Sequence, residues 1–212
     1  MINYYDLQLR SIMLLYSAHK AGINPISQKI FHTLAFYSNT LSKVFGLDAL
    51  DGKILKLHTG PYYPDLQKQL DYLICAGIVT VEYSNSTDYD PRYISYFIDM
   101  EFGKSIIANF STLDNNRLFS FINDIVQAFS ELDDLEIQDS NVIDATYADK
   151  KTGYGNVIDF EEWNDYNPTF NAIQFLNEHN SEFILTNTVK IKLYVRQIQY
   201  YLSSQQGTSN GR

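Results

Sequence analysis

A mainly helical fold carrying a small β-hairpin is what this sequence predicts, on three observations. Apolar residues recur at helical spacing over much of the chain, as in Leu66, Leu70, Leu73 and Ile74 or in Leu118, Phe121, Ile122, Ile125, Val126 and Phe129; such spacing places them on one face of a helix. β-Branched and aromatic residues concentrate in two runs, 78–83 and 92–100, separated by the polar, turn-rich Ser84-Asn85-Ser86-Thr87-Asp88-Tyr89-Asp90-Pro91, the pattern of two strands and a connecting turn. With 45% apolar and 15% aromatic residues among 212, the chain has the material for a buried core.

Taken in order, Leu7, Leu9, Ile12, Met13, Leu14, Leu15 and Tyr16 predict a first helix with a broad buried face, closed off by Gly22 and Asn24-Pro25,. Ile26, Ile30, Phe31, Leu34, Ala35 and Phe36 predict a second over about 25–38, carried onward by Leu41, Val44, Phe45 and Leu47. Asp51-Gly52 marks a turn, 53–58 a short element, and Gly60-Pro61 with Pro64 a stiff turn into a third helix over 64–76,. Asp65 is expected as its cap or first-turn anion. Gly77 stops it, because the left-handed residue that ends many helices is unstrained only as glycine. After the two strands, Phe102-Gly103-Lys104-Ser105 is expected as the turn into a helix reaching about residue 110, followed by the amphipathic helix over 118–129. Short strands at 141–148 and 156–160, around Gly153-Tyr154-Gly155, and helices over about 169–179 and 187–203 complete the prediction.

Helix, helix, short element, helix and hairpin is the order of a winged helix-turn-helix. The expected organisation is therefore a winged-helix-like half with a β-hairpin wing, residues 1–110, then a helical or mixed half, 111–204, with an acidic insert, then a disordered tail, 205–212.

Eleven acids against Lys150 and Lys151 between positions 131 and 165 account for the whole net charge of −9, leaving 14 basic and 14 acidic residues elsewhere. Such a segment repels phosphate and suits a basic protein surface; the plainer reading is a solvated, solubilising face. No apolar run approaches the roughly 18 to 20 residues that cross a bilayer, and Met1-Ile2-Asn3-Tyr4-Tyr5-Asp6 lacks the start of a secretion signal,. A cytoplasmic location without membrane contact is expected, and the lone Cys75 fits a reducing compartment as a core or half-buried thiol,.

Catalytic chemistry finds little footing. His19, His32, His58 and His179 never stand three or four apart, so they set no metal ligands on one helix face,. Gly103-Lys104-Ser105 lacks the upstream glycine of a phosphate-binding loop, position 98 being Ile98. Asp133/Asp134 and Glu161/Glu162 are adjacent in sequence, so their side chains diverge. No catalytic residue, metal or cofactor is expected.

The third helix also makes a poor DNA reader. It offers Asp65, Gln67, Lys68, Gln69, Asp71 and Tyr72, one cation against two anions, where groove insertion relies on several cations. Lys53, Lys56 and His58 remain possible phosphate contacts if a partner holds the nucleic acid. The 17 tyrosines point to protein contact instead, since rigid amphipathic rings are enriched at interface centres. Candidate partner-binding residues are Tyr62, Tyr63, Lys68, Tyr72, Tyr194, Tyr200 and Tyr201, with Tyr62 and Tyr63 dividing between a packed and an outward ring. Val189, Leu193, Arg196 and Tyr200, with Lys190, Gln197 and Tyr201, give the last helix two usable faces, as a docking helix has.

The run Leu55-x-Leu57-x-x-Gly60-Pro61-Tyr62-Tyr63-Pro64-Asp65-Leu66, followed by Leu70, Leu73 and Gly77-Ile78-Val79, resembles the middle component of prokaryotic ABC-three-component systems, among them the Lamassu type of antiphage defence. The likeness covers mainly residues 5–110. Its Gly-Pro turn is also similar to that of the Panacea antitoxin domain. The first resemblance implies a non-catalytic accessory subunit that docks on an SMC- or ABC-type ATPase and helps hold or license an effector nuclease, with DNA met only through the complex. The second implies a DNA-binding regulator or antitoxin.

Overall fold

The computed structural model describes residues 4–49, 53–83, 94–110, 113–160, 167–179 and 185–209. The chain is mainly helical with two small antiparallel sheets. The order is α1 (Tyr4–Lys20), β1 (Ile26–Ser27), α2 (Gln28–Thr40), a 3-10 turn (Ser42–Phe45), β2 (Lys53–Leu57), β3 (Gly60–Tyr62), α3 (Pro64–Cys75), β4 (Val79–Tyr83) and β5 (Ile94–Ile98). Then come α4 (Met100–Asn109), α5 (Leu113–Phe129), α6 (Asp134–Asp139), a second 3-10 turn (Ser140–Val142), α7 (Ala145–Ala148), β6 (Val157–Asp159), α8 (Pro168–His179) and α9 (Asn187–Ser209).

Helix α2 is buried on every side, Lys29 alone keeping intermediate exposure. Its apolar residues, Ile30, Phe31, Leu34, Ala35, Phe36 and Tyr37, spread around more than one stripe, which is how a central helix differs from a surface one,. Ser27 caps it, accepting the Ile30 N–H at 3.2 Å,. β5 lies between β1 and β4, with Ile26 opposite Tyr96 and Val79 opposite Ile98. In the second sheet β2 is central, pairing with β3 through Leu57 and Gly60 and with β6 through Lys53 and Asp159. β6 thus ties the acidic segment to a strand on the other side of residue 110, and buried side chains from both sides form one continuous core.

Several expectations are corrected. The second helix does not run on through 41–47. The hydroxyls of Thr40 and Ser42 bond the carbonyls of Tyr37 (3.4 Å) and Asn39 (2.7 Å), competing with the helical ladder, and Gly46 then turns left-handed at φ 62°,. Gly60-Pro61 belongs to edge strand β3, where a missing N–H is tolerated, and the proline that opens α3 is Pro64 at its first turn,. Asp65 is a first-turn anion; the cap position is Tyr63, which makes no side-chain cap.

Gly103 is no turn residue but the fourth position of α4, whose cap is Asp99, accepting from Phe102 N–H at 2.8 Å. A Cβ there would meet Ile98 Cδ1 at 3.1 Å and Tyr16 Cδ2 at 3.3 Å, so glycine permits close approach of α1 and β5. The strand expected at 141–148 is a 3-10 turn and α7 instead, and α6 precedes them with a reciprocal capping box between Asp133 and Glu136,. The tail expected from Gln205 is helical through Ser209. Cys75 is exposed, because it stands about 200° around the helix from buried Leu73,. The expected wing tip at 84–91, with Tyr89, the neighbouring Tyr93, the Asp51-Gly52 turn, and Glu161, Glu162 and Asp165 lie outside the described residues.

Candidate protein-docking site

Helix α3 is fixed against α2 by a buried polar network. The Tyr63 N–H donates to His32 Nδ1 (3.3 Å), which leaves Nε2 as the protonated nitrogen, donating to Gln67 Oε1 (3.0 Å),. The same oxygen accepts from Gln28 (3.0 Å), while Gln67 Nε2 donates to Asp71 (2.8 Å) and to the Tyr96 hydroxyl (3.2 Å). Burial pushes the His32 pKa down to about 4, against the opposing effect of the hydrogen bond it donates to Gln67, so the ring is neutral at physiological pH. At the far end, Gly77 at φ 72° closes α3 with Gly77 N–H on Ile74 O and Ile78 N–H on Leu73 O, both 3.0 Å,. That turn carries Ile78 back toward the helix it ends.

The outer side of α3 then forms, with α1, a trough of about 540 Å³ walled by Tyr4, Tyr72, Leu73, Ala76 and Ile78. Gln8 donates to Gln69 across it at 2.9 Å, and Lys68 is the single charged residue lining it. A smaller hollow of about 140 Å³ shares Gln8, Leu73 and Ile78 and continues toward Ile106 of α4 and Phe110 at its C-cap. Tyr5 meets Phe110 edge-on, ring centres 5.1 Å apart. Tyr4 and Tyr72 stay about half exposed, at 51% and 53%. Exposed aromatic walls, an amide pair between two helices and one cation at the rim make a surface that can seat an apolar segment; they offer no converging acid, base or nucleophile.

The residues singled out in the sequence scatter. Lys68 and Tyr72 lie on the trough. Tyr63 is 1% exposed in the core, while Tyr62 is half-buried against His32, ring centres 4.7 Å apart, so the packed ring is the second of the pair. Tyr194, expected on a partner face, is buried, whereas Tyr200 is exposed; Tyr201 falls within α9, its side chain outside the described residues. Of the expected phosphate contacts, Lys56 is turned inward. At 3% exposure its ammonium bonds the carbonyls of Asp149 (2.8 Å) and Thr152 (2.7 Å) between the rings of Tyr147 and Tyr154. Burial lowers its pKa, opposed by the Asp149 carboxylate. Lys53 is exposed and pairs with Asp159 at 3.5 Å, and exposed His58 stacks on Tyr154, ring centres 3.9 Å apart.

The acidic segment is less uniformly solvated than its composition suggests. Asp133 is a cap, Asp159 faces Lys53, and Asp144 is fully buried. The Asp144 carboxylate accepts the N–H groups of Thr146 and Tyr147 (both 2.9 Å), the Thr169 hydroxyl (2.9 Å to Oδ2) and the Tyr194 hydroxyl (2.7 Å). Burial raises its pKa against these four donors, and burial with the nearby carboxylate holds the Tyr37 and Tyr194 hydroxyls well above the ordinary phenol value. The one sequence sign of this centre is the aspartate directly before a short helix, a cap position.

Among the described residues no group of three His, Cys, Asp or Glu is placed to hold a metal ion, and no helix is long and apolar enough to cross a membrane. Neither a family model, a curated protein nor a solved structure matches this chain.

Proposed function

We propose that this protein is a non-catalytic accessory subunit of a cytoplasmic defence assembly, a winged-helix-like module that grips proteins. Its partners in this reading are an SMC- or ABC-type ATPase and an effector nuclease, as the resemblance of residues 55–79 to ABC-three-component middle components implies. The order of α1, β1, α2, α3, β4 and β5, with β1 and β4 flanking β5, supports a winged-helix layout into which the hairpin β2–β3 is inserted. The observation that carries the reading is the exposed side of α3: aromatic and aliphatic walls with Lys68 as the one charge lining the trough. A helix that enters a DNA groove needs a run of cations to displace counterions, and this one lacks it.

The test is co-expression of the full chain with the products of neighbouring ATPase and nuclease genes, followed by copurification. Tyr72→Glu is expected to release at least one partner while leaving the melting temperature within a few degrees of wild type. An intact three-protein complex in that variant would remove the trough from the assembly. The rival reading, a DNA-binding regulator, predicts duplex affinity of the isolated chain at moderate salt. Binding tighter than about the micromolar end of non-specific association would favour it.

A further inference from the structure

The solvent side of α9 is a second surface, independent of the trough, and its pattern defines what fits it. Val189, Leu193 and Tyr200 are 39%, 37% and 71% exposed, and Arg196 is exposed between them. The four follow one another at intervals of four, three and four residues, so at about 100° per residue they fall within an arc of about 60°. Ile191, Tyr194, Val195 and Ile198, all buried, occupy the opposite side. α9 therefore has one apolar face in the core and another in water. Intervals of four and three are the seam of a two-stranded coiled coil, and the positions flanking such a seam face the partner's charged positions. Here those positions are Lys190 and Gln197 on one side, Lys192 and Gln199 on the other. Over Asn187–Ser209 the helix holds Lys190, Lys192 and Arg196 and no carboxylate, in a chain of net charge −9.

We propose that this seam takes one acidic amphipathic helix of a partner protein, with aliphatic residues along its own seam and glutamate or aspartate beside them. Pairing with a second copy would set the three cations of one α9 against those of the other, a repulsion that flanking charges use to reject wrong partners. Arg196 in the seam requires a carboxylate or amide opposite, which fixes the register. Lys192 reaches Glu131 at 3.7 Å across solvent, with both side chains over 40% exposed; such a pair is weak enough to exchange for a partner carboxylate. An anionic lipid surface also attracts basic helices, but it rewards a broad apolar face, and this one is a single row of side chains.

Two synthetic peptides about four heptads long serve as probes, each with leucine at the seam positions, one flanked by glutamate and the other by lysine. The acidic peptide is expected to bind the full chain at least about tenfold tighter than the basic one at low salt. Leu193→Ser should weaken that binding about tenfold without moving the melting temperature. The double variant Lys190→Glu with Arg196→Glu should reverse the order of the peptides, while Tyr72→Glu in the trough should leave it unchanged. Equal affinity for the two peptides, no binding of either, or an unreversed order in the charge-swapped variant would overturn the proposal. So would tighter association with vesicles of anionic lipid than with the acidic peptide, or a stable dimer of the chain that Leu193→Ser dissolves.

Discussion

Burial drives His32 and Asp144 in opposite directions on the pH scale, and each fixes a different part of the fold. For His32 the unfolded chain takes its proton near the ordinary value of about 6.5, the folded chain only near 4. Between those values the unfolded state holds more protons, so the contribution is complete above pH 6.5 and is lost as the pH falls. The loss amounts to about 3 kcal/mol. Asp144 works the other way. Its folded pKa lies above the unfolded one, so its ionisation costs stability as the pH rises through the folded value and relieves it on acidification,. Urea titrations from pH 7 to pH 4 should therefore show a declining stability that His32→Asn, which keeps an acceptor for the Tyr63 N–H but cannot charge, flattens. A slope unaltered by that substitution would place the acid sensitivity elsewhere. Replacing Asp144 by alanine strands two N–H groups and two hydroxyls and should cost about 2–4 kcal/mol by chemical denaturation. Of the packed and the outward ring expected at Tyr62 and Tyr63, the packed one is Tyr63, while Tyr62 lies half-buried against His32 instead of outward. The inward turn of Lys56 and the burial of Asp144 were not legible in the sequence, because each depends on partners 90 or more residues distant for the lysine and at Thr169 and Tyr194 for the carboxylate.

Helices announced themselves by period and by their ends. α3 and α5 lie where apolar spacing put them, and Gly77 stops α3 as the left-handed position demands. Gly77→Ala has open space for its methyl but must hold φ 72°; the cost should be about 1–2 kcal/mol, seen as a lowered melting temperature, and a neutral result would show that the turn relaxes. Short elements were harder to read. α6 and α7 are six and four residues long and rest on caps at Asp133 and Asp144, so no periodicity existed to find. Gly103 looked like punctuation, yet it marks where α1 and β5 crowd α4, a tertiary constraint that the local sequence does not carry. Between elements, the Lys56 ammonium clasps the 149–152 loop to β2. Lys56→Met should leave two carbonyls without their donor and destabilise by about 1–3 kcal/mol. Hydrogen exchange should quicken at Gly155 and Asn156, and unchanged protection there would show that the backbone ladder alone holds the loop.

Across the whole molecule, the pairing of β6 with β2 and the shared core argue for one cooperative unit. Heat or urea should unfold the chain in a single transition at which secondary and tertiary probes coincide. A chain ending at residue 110 should fail to fold, since the side of α2 that packs on α5 and α6 would lie open. Two separated transitions would instead show that the halves are stable alone. The trough and the α9 seam then belong to one folded unit with two unlike faces, one nearly uncharged and one cationic.

That shared core has a mechanical side. The Asp144 carboxylate is held at once by the start of α7, by Thr169 of α8 and by Tyr194 of α9. A load along α9 that reaches Tyr194 must therefore draw its hydroxyl off a buried carboxyl group before the helix slides past α7 and α8,. The corner where the three helices meet is thus the place at which strain on any one of them is shared with the other two.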